Sequence, residues 1–268
     1  MMKRATSLAL LLFFGLVPLS PAVAFQPIVS TPVIQDIKLT APITKLNFPL
    51  KAANTEAFCT QFAETKSKLE TALSEKDARV KDYLGGLVEN LGDRRANRDA
   101  KREGLRSEAD QKRSAWYERL NARAKTDAEK DAVLKYQERV EEAVDDRREE
   151  VDDAIKSYRE SVDTLVEKRR ATIESARLAF HTNVLAAITT VEQGCTNGAA
   201  TLTITKNFKT ALSAARTKLA ADKKSASMLE GQIQSLVETR KKSVTAAFAQ
   251  YEAALKAAKA DLIAAFQK

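Results

Sequence analysis

Proline is missing from most of this chain. All six prolines lie between residues 18 and 49, and residues 50–268 contain none. Because a proline interrupts a helix interior at a cost of about 3 kcal/mol, its absence permits unbroken helices over that span. Glycine is also scarce, with eight residues, and aromatic residues make up only 6% of the chain, whereas charged residues make up 30%. This balance is typical of long helices rather than of a thick globular core.

Cysteine and histidine, which serve in many catalytic and zinc-binding sites, are equally scarce. The chain has two cysteines and one histidine, His181. One histidine cannot build a zinc site, and no acidic residue is placed to complete a catalytic triad with it. No glycine-rich phosphate loop, nucleophile elbow or HExxH motif occurs. We therefore expect a non-enzymatic protein without a metal, a cofactor or a small-molecule substrate.

The first 24 residues are typical of a secretory signal peptide. Lys3 and Arg4 precede an apolar run over residues 5–17, and the small residues Ala-Val-Ala at 22–24 form a cleavage site. The apolar run is shorter than the roughly 20 residues that span a bilayer. We expect cleavage near Ala24 and export to the periplasm, the cell envelope or the extracellular space, without a membrane-spanning segment.

Residues 25–53 form a separate N-terminal segment with four prolines and few charges. Proline at this spacing favours extended chain. The segment is either a tether or a strap that lies along the helices, and its scattered apolar residues favour the strap.

Three long helices are predicted after residue 53. The first runs from about Asn54 to Leu120, with Asn54 or Thr55 as its N-cap. Apolar residues recur in it at steps of three, four and seven. A break at 121–125 precedes Thr126 and Glu129, which fit a capping box that begins the second helix. The second helix is predicted to end near Gln193 and the third to begin near Thr205. Within the second helix, apolar residues stand 11 apart, a spacing that favours a nearly straight bundle: Val140, Val151, Val162, Ile173 and Val184.

The first two helices are predicted to pair as an antiparallel hairpin that turns near residues 121–127. Apolar positions of the two helices then match about a common centre near residue 126: Phe62 with Val191, Leu69 with Val184, Leu73 with Phe180, Val80 with Ile173, Leu87 with Val166, Leu91 with Val162, and Leu120 with Val133. Between Leu91 and Leu105 the apolar face turns basic, with Arg94, Arg98 and Lys101 in apolar-phase positions. Residues 94–123 carry ten basic and five acidic side chains, and the opposing residues 130–159 carry ten acidic and seven basic ones. This complementarity supports the same register.

The two cysteines support it as well, because Cys59 and Cys195 meet at the base of the predicted hairpin. Two cysteines in an exported protein favour a disulfide. The alternative is a redox or metal-binding pair, which no CxxC motif or cysteine–histidine cluster supports.

Trp116 and Tyr117 lie within two turns of the predicted hairpin tip. Aromatic side chains there are candidates for contact with a partner, a ligand or a membrane interface. The alternative interpretation, which we favour, is that Trp116 fills the end of the apolar seam.

The third helix is basic. Residues 205–268 hold twelve basic and five acidic side chains, within a chain of formal net charge +8. Such a helix favours anionic polymers or lipid surfaces as partners. The alternative is a solvated face, or a complement to the acidic second helix.

The signal peptide, the basic charge and the long hairpin together resemble the Skp-type periplasmic chaperones in architecture. The Ala/Lys/Glu-rich helices with cysteines at their ends also resemble uncharacterised exported bacterial coiled-coil proteins. The first resemblance implies a holdase that cages unfolded clients, and the second implies a bacterial envelope protein.

These observations predict an all-α protein, an elongated antiparallel coiled-coil bundle of three long helices. Its parts are the signal peptide, the segment 25–53, a disulfide-closed hairpin over 54–195 and a third helix over 196–268 that packs on the hairpin. The predicted function is a structural, scaffold or adhesion component of the cell envelope that binds a protein partner or itself. The alternatives are a holdase-type chaperone and a binder of anionic polymer or membrane through the third helix.

Overall fold

The described part of the chain is helical, as the sequence predicted. The computed structural model describes residues 54–267, apart from the side chains of residues 227–230. Helix α1 spans Thr55–Arg123, α2 spans Asp127–Thr196 and α3 spans Thr201–Phe266, and no strand occurs among residues 54–267. The predicted signal peptide at 1–24 and the predicted extended segment at 25–53 lie outside the described residues.

Polar caps begin the first two helices: Asn54, one of the two predicted candidates, caps α1, and the predicted Thr126 caps α2. The side chain of Asn54 accepts a hydrogen bond from the backbone N–H of Ala57 at 2.8 Å. At α2 the Thr126 hydroxyl accepts from the N–H of Glu129, and the Glu129 carboxylate accepts from the N–H of Thr126 at 2.8 Å. This reciprocal pair is the predicted capping box, and it satisfies N–H groups that the helix itself leaves without partners.

The other helix boundaries differ from the prediction by a few residues. Helix α1 continues past Asn121 to Arg123, because the next N–H, of Ala124, still bonds the carbonyls of Leu120 and Asn121. Helix α2 continues through Gly194 to Thr196.

Helix α3 begins four residues early, at Thr201 rather than Thr205. The extra turn buries Ile204, whose side chain packs against the bare backbone of Gly194; a Cβ there would lie 2.9 Å from the Ile204 Cγ1. Gly198 has φ +67°, which a glycine adopts at no steric cost, and it turns the chain between α2 and α3.

Two separate apolar clusters hold the helices. The disulfide-end cluster combines buried residues of all three helices: Phe58, Phe62, Leu69, Leu73, Ala176, Phe180, Val184, Ala187, Ile188, Val191, Ile204, Phe208, Leu212, Ala215 and Leu219. The turn-end cluster lies beside the α1–α2 connection and joins it to the end of α3: Tyr117, Leu120, Ala124, Val133, Tyr136, Val140, Val144 and Ala258. Four of the predicted apolar pairs therefore have both members in one cluster.

Contacts between α1 and α2 run in opposite order along the two helices. Residues near the start of α1 meet residues near the end of α2, and those near the end of α1 meet residues near the start of α2. The cross-helix ion pairs, in chain order of α1, are Lys66–Glu192, Asp77–Arg177, Arg95–Asp163, Asp99–Arg159, Arg106–Asp152, Asp110–Arg148 and Arg113–Glu141.

Candidate functional site

Charged side chains join α1 to α2 over a stretch of α1, residues 95–113, that has no buried apolar residue. We call this region the charged seam: α1 residues 95–113 and the α2 residues 141–163 that they contact. Its ion pairs connect the two stretches whose opposite charge the sequence predicted to face each other. The predicted helical phase of the basic residues in α1 was off by one residue. Arg94 and Lys101 are exposed, and Arg95 and Arg102 make the contacts with α2 instead.

Bidentate arginine–carboxylate pairs dominate the charged seam. The two terminal nitrogens of Arg106 lie 2.8 and 2.9 Å from the two carboxylate oxygens of Asp152. Arg159 and Asp99 pair in the same way, at 2.6 and 2.8 Å. Such planar pairs fix orientation as well as charge. The hydrogen bonds from Arg159 hold the pKa of Asp99 below its ordinary value.

At one point along the charged seam, where α3 also packs, positive side chains outnumber negative ones. Arg240 of α3 is 7% exposed, and its Cζ lies 4.4 Å from the ring centroid of Tyr158. Burial, together with the neighbouring cations Arg98 and Arg159, lowers the pKa of Arg240. We call this group the arginine layer: Arg98 of α1, Tyr158 and Arg159 of α2, and Arg240 of α3.

The sequence reasoning missed the arginine layer. Of its members it singled out only Arg98, as a basic residue in an apolar-phase position. Arg240 lies seven residues before the buried Ala247 and four before the buried Val244, so its helical phase is that of a core residue. A charged residue in core phase was the available signal.

Aromatic side chains also hold an arginine between α2 and α3. The Cζ of Arg147 lies 4.2 Å from the ring centroid of Tyr251 and 5.4 Å from that of Phe248. Burial lowers the pKa of Arg147. Cation–π contacts of this kind contribute about 0.5–2 kcal/mol, and here they attach α3 to α2 beside the charged seam.

The cysteines lie at the base of the α1–α2 pair. A disulfide joins Cys59 of α1 to Cys195 in the last turn of α2, with the Cα atoms 5.9 Å apart. Both residues pack against the disulfide-end cluster. The bond therefore fixes the helix ends that lie farthest from the α1–α2 connection.

The two aromatic residues predicted near the tip have different environments. Tyr117 is 5% exposed and packs edge-to-face on Tyr136, with ring centroids 6.4 Å apart. Burial raises the pKa of Tyr117 above its ordinary value. Trp116 is half-buried at the edge of the turn-end cluster, and the Arg119 guanidinium lies 5.5 Å from its ring centroid. Contact of Trp116 with a partner stays a prediction, whereas Tyr117 belongs to the core.

Residues that might bind metals do not converge in the described part of the chain. His181 is half-buried and its Nδ1 lies 3.3 Å from an oxygen of Asp77. Across residues 54–267, no three His, Cys, Asp or Glu side chains are grouped so as to hold a metal ion. A search of the same residues also finds no helix with an apolar stretch long enough to cross a bilayer.

Comparison with protein-family models, curated proteins and solved structures finds no match to this chain. The arrangement of its own residues is therefore the basis for a functional proposal.

Proposed function

We propose that this chain is an exported, non-catalytic scaffold of the cell envelope, in which α1, α2 and α3 form an antiparallel coiled-coil bundle. Helices of 69, 70 and 66 residues support this proposal. At about 1.5 Å per residue each is roughly 100 Å long. A scaffold of this kind separates its partners by a fixed distance.

The observation that carries the proposal is the series of α1–α2 contacts. They begin at the disulfide of Cys59 and Cys195, continue through the charged seam and end at the turn-end cluster. A helix that is fixed at both ends and at several points between them resists bending. That resistance is what a spacer requires.

Small-angle scattering on the chain starting at Phe25 tests the arrangement. A maximum dimension of at least 100 Å, as three helices of this length side by side require, is the expected result. A much shorter maximum dimension would reject the bundle.

Expression of the whole chain in a bacterial host tests the location and role. The scaffold proposal predicts recovery in the envelope or periplasmic fraction, an N-terminus at Phe25, and cross-linking in the cell to an envelope protein or to a second copy. Recovery in the cytoplasm with the first 24 residues uncleaved would contradict it.

A second candidate function is binding to an anionic polymer or lipid surface through α3. Five lysines of α3 are exposed and form no ion pair with any residue of 54–267: Lys206, Lys209, Lys241, Lys242 and Lys256. When such lysines bind an anionic polymer or surface, they release the counterions that it carries. Binding to DNA or to anionic vesicles should therefore fall steeply as the salt concentration rises. The variant Lys241→Glu/Lys242→Glu should weaken binding, whereas Lys156→Glu on α2 should weaken it less. Binding that does not depend on salt would reject this candidate.

A holdase is the third candidate, supported by leucines that the bundle leaves exposed. Leu178 and Leu185 lie one heptad apart on α2 and are 50% and 38% exposed, and Leu202 at the start of α3 is 81% exposed. Light scattering from an aggregating unfolded client tests it. Suppression should be lost in Leu178→Gln/Leu185→Gln, and no suppression at stoichiometric excess would reject the holdase.

A further inference from the structure

The arginine layer contains a buried cation that has no anionic partner among residues 54–267. Arg240 is 7% exposed, and its Nη2 atom makes no hydrogen bond with any described residue. Among the described residues, the face of the Tyr158 ring is the contact that favours its charge. A buried guanidinium nitrogen without a hydrogen-bond partner is destabilising, because the group has lost water and gained nothing in exchange.

Asp99, which pairs with Arg159 of the layer, is already shared by two arginines. Asp99 takes both terminal nitrogens of Arg159, and Arg102 lies 3.1 Å from one of the same oxygens. Arg98, on the preceding residue of α1, forms no ion pair within residues 54–267. The layer therefore has more guanidinium groups than carboxylates to pair them.

Arg147 also stacks on aromatic rings, those of Phe248 and Tyr251, but it is only half-buried. Among the described residues, none of its nitrogens is both fully buried and without a hydrogen-bond partner. Water has much less access to Arg240. Stacking on an aromatic ring leaves the in-plane N–H groups of a guanidinium still in need of an acceptor.

A small oxyanion supplies what the arginine layer lacks. A guanidinium presents its N–H groups in a planar fork that matches two oxygens of a phosphate or sulfate. The side chain of Arg98 is exposed and lies close enough to Arg240 to act on its charge, so it provides a second cation at the solvent side of the layer.

We propose that the arginine layer binds one small oxyanion of the phosphate or sulfate type, which accepts a hydrogen bond from Nη2 of Arg240 and is approached past Arg98. The bound anion neutralises the excess charge of the layer and links α1 to α3 through α2. The proposal is independent of the scaffold function and holds whether or not that function is correct.

Thermal unfolding with inorganic phosphate as the probe tests the site. The chain starting at Phe25 is measured in a zwitterionic buffer and in phosphate at constant ionic strength, so that general salt effects cancel. Because a ligand that binds only the folded state stabilises it in proportion to occupancy, millimolar phosphate should raise Tm by about 3 °C. Isothermal titration should give one phosphate per chain.

Three variants test whether the phosphate-dependent rise in Tm comes from the arginine layer. Arg240→Met should abolish the phosphate-dependent rise, and its Tm without phosphate should equal or exceed that of the parent, because a buried unpaired charge has been replaced by an apolar side chain. Arg98→Gln should weaken the phosphate affinity several-fold. Arg123→Gln, which makes the same charge change at an exposed position of the same helix, should leave the affinity unchanged.

The proposal is overturned if phosphate gives no rise in Tm. It is also overturned if the rise is the same in the parent, in Arg240→Met and in Arg98→Gln. Binding of several phosphates per chain that Lys241→Glu/Lys242→Glu abolishes would also overturn it, by assigning the effect to the lysines of α3. If Arg240→Met does not fold, the phosphate affinities of Arg98→Gln and Arg123→Gln decide, since a substitution at an exposed position leaves the fold intact.

Discussion

At the residue scale, the molecule shows how arginine replaces apolar side chains between two helices. Asp152 of α2 is shared by two arginines of α1: it pairs in bidentate fashion with Arg106 and lies 3.5 Å from Arg102. The Arg106 side chain is 19% exposed, so it depends on this carboxylate more than a surface arginine would. The long arginine side chains hold α1 to α2 where apolar packing between the two helices is sparse.

We expect Asp152→Asn to lower the free energy of unfolding by about 1–2 kcal/mol, because it leaves Arg106 without a charged partner and Arg102 with Asp99 alone. Urea unfolding followed by circular dichroism measures this change. The neighbouring Asp153 is the control, since it is exposed and forms no ion pair within residues 54–267. Asp153→Asn should change stability by less than about 0.5 kcal/mol. Equal effects of the two variants would show that the charged seam does not hold the helices.

Stability at low pH should depend on Asp99. Its pKa in the folded protein is below the ordinary value of 3.8 because Arg159 donates hydrogen bonds to its charged form. A carboxyl group of this kind contributes stability above its unfolded-state pKa, and the contribution is lost as pH falls through that value to the folded-state pKa. Asp99→Asn should therefore be less stable than the parent at neutral pH, and the difference should shrink below about pH 4. Parallel stability curves for the two proteins down to pH 2 would contradict this account.

At the element scale, the capping box of α2 is the feature that the sequence predicted best. Thr126→Ala removes the hydroxyl that accepts from Glu129, and we expect a loss of about 1 kcal/mol. Thr190→Ala is a suitable control, because Thr190 is exposed in the helix interior and its hydroxyl only bonds the carbonyl of Ala186. It should be neutral or slightly stabilising, since alanine favours helix. Both variants are compared by denaturant midpoint, and a Thr126→Ala midpoint at or above that of Thr190→Ala would contradict the prediction.

Element boundaries were predictable where a local hydrogen bond sets them and not where packing does. Thr126 was predicted from its capping chemistry, and Asn54 was one of two candidates. The second helix was predicted to end near Gln193, but it continues to Thr196, and Gly194 lies within its last turn and receives the Ile204 side chain. That contact joins α2 to α3 and has no signature in the local sequence.

At the scale of the whole molecule, the disulfide closes the longest loop in the described chain. Cys59 and Cys195 are 136 residues apart in sequence, and in the chain-entropy model a loop of this length contributes about 5 kcal/mol. Cys59→Ser/Cys195→Ser should therefore lower the urea midpoint markedly while the far-ultraviolet dichroism stays helical. Two free thiols per chain on the non-reduced protein would show that the bond is not formed.

The order of the α1–α2 ion pairs follows the prediction from sequence, whereas the polar interior was not predicted. Apolar spacing and opposite charge indicated which parts of the first two helices meet, because both patterns repeat along the helices. The arginine layer depends on Arg98, Tyr158 and Arg240, which come from three helices. Core phase marks Arg240 in the sequence, but the residues that it meets depend on how the helices are placed. Sequence spacing describes one helix at a time, so a charge imbalance between helices stays hidden.

The central claim is that α1 folds back along α2, and zero-length carbodiimide cross-linking of the reduced protein tests it most directly. Lys66 of α1 and Glu192 of α2 are 2.6 Å apart, as are Lys112 and Glu108 within one turn of α1. The second pair is an internal control with the same chemistry and distance. We predict that peptide mapping by mass spectrometry finds both isopeptide bonds within single chains. Recovery of the Lys112–Glu108 bond without the Lys66–Glu192 bond would contradict the hairpin.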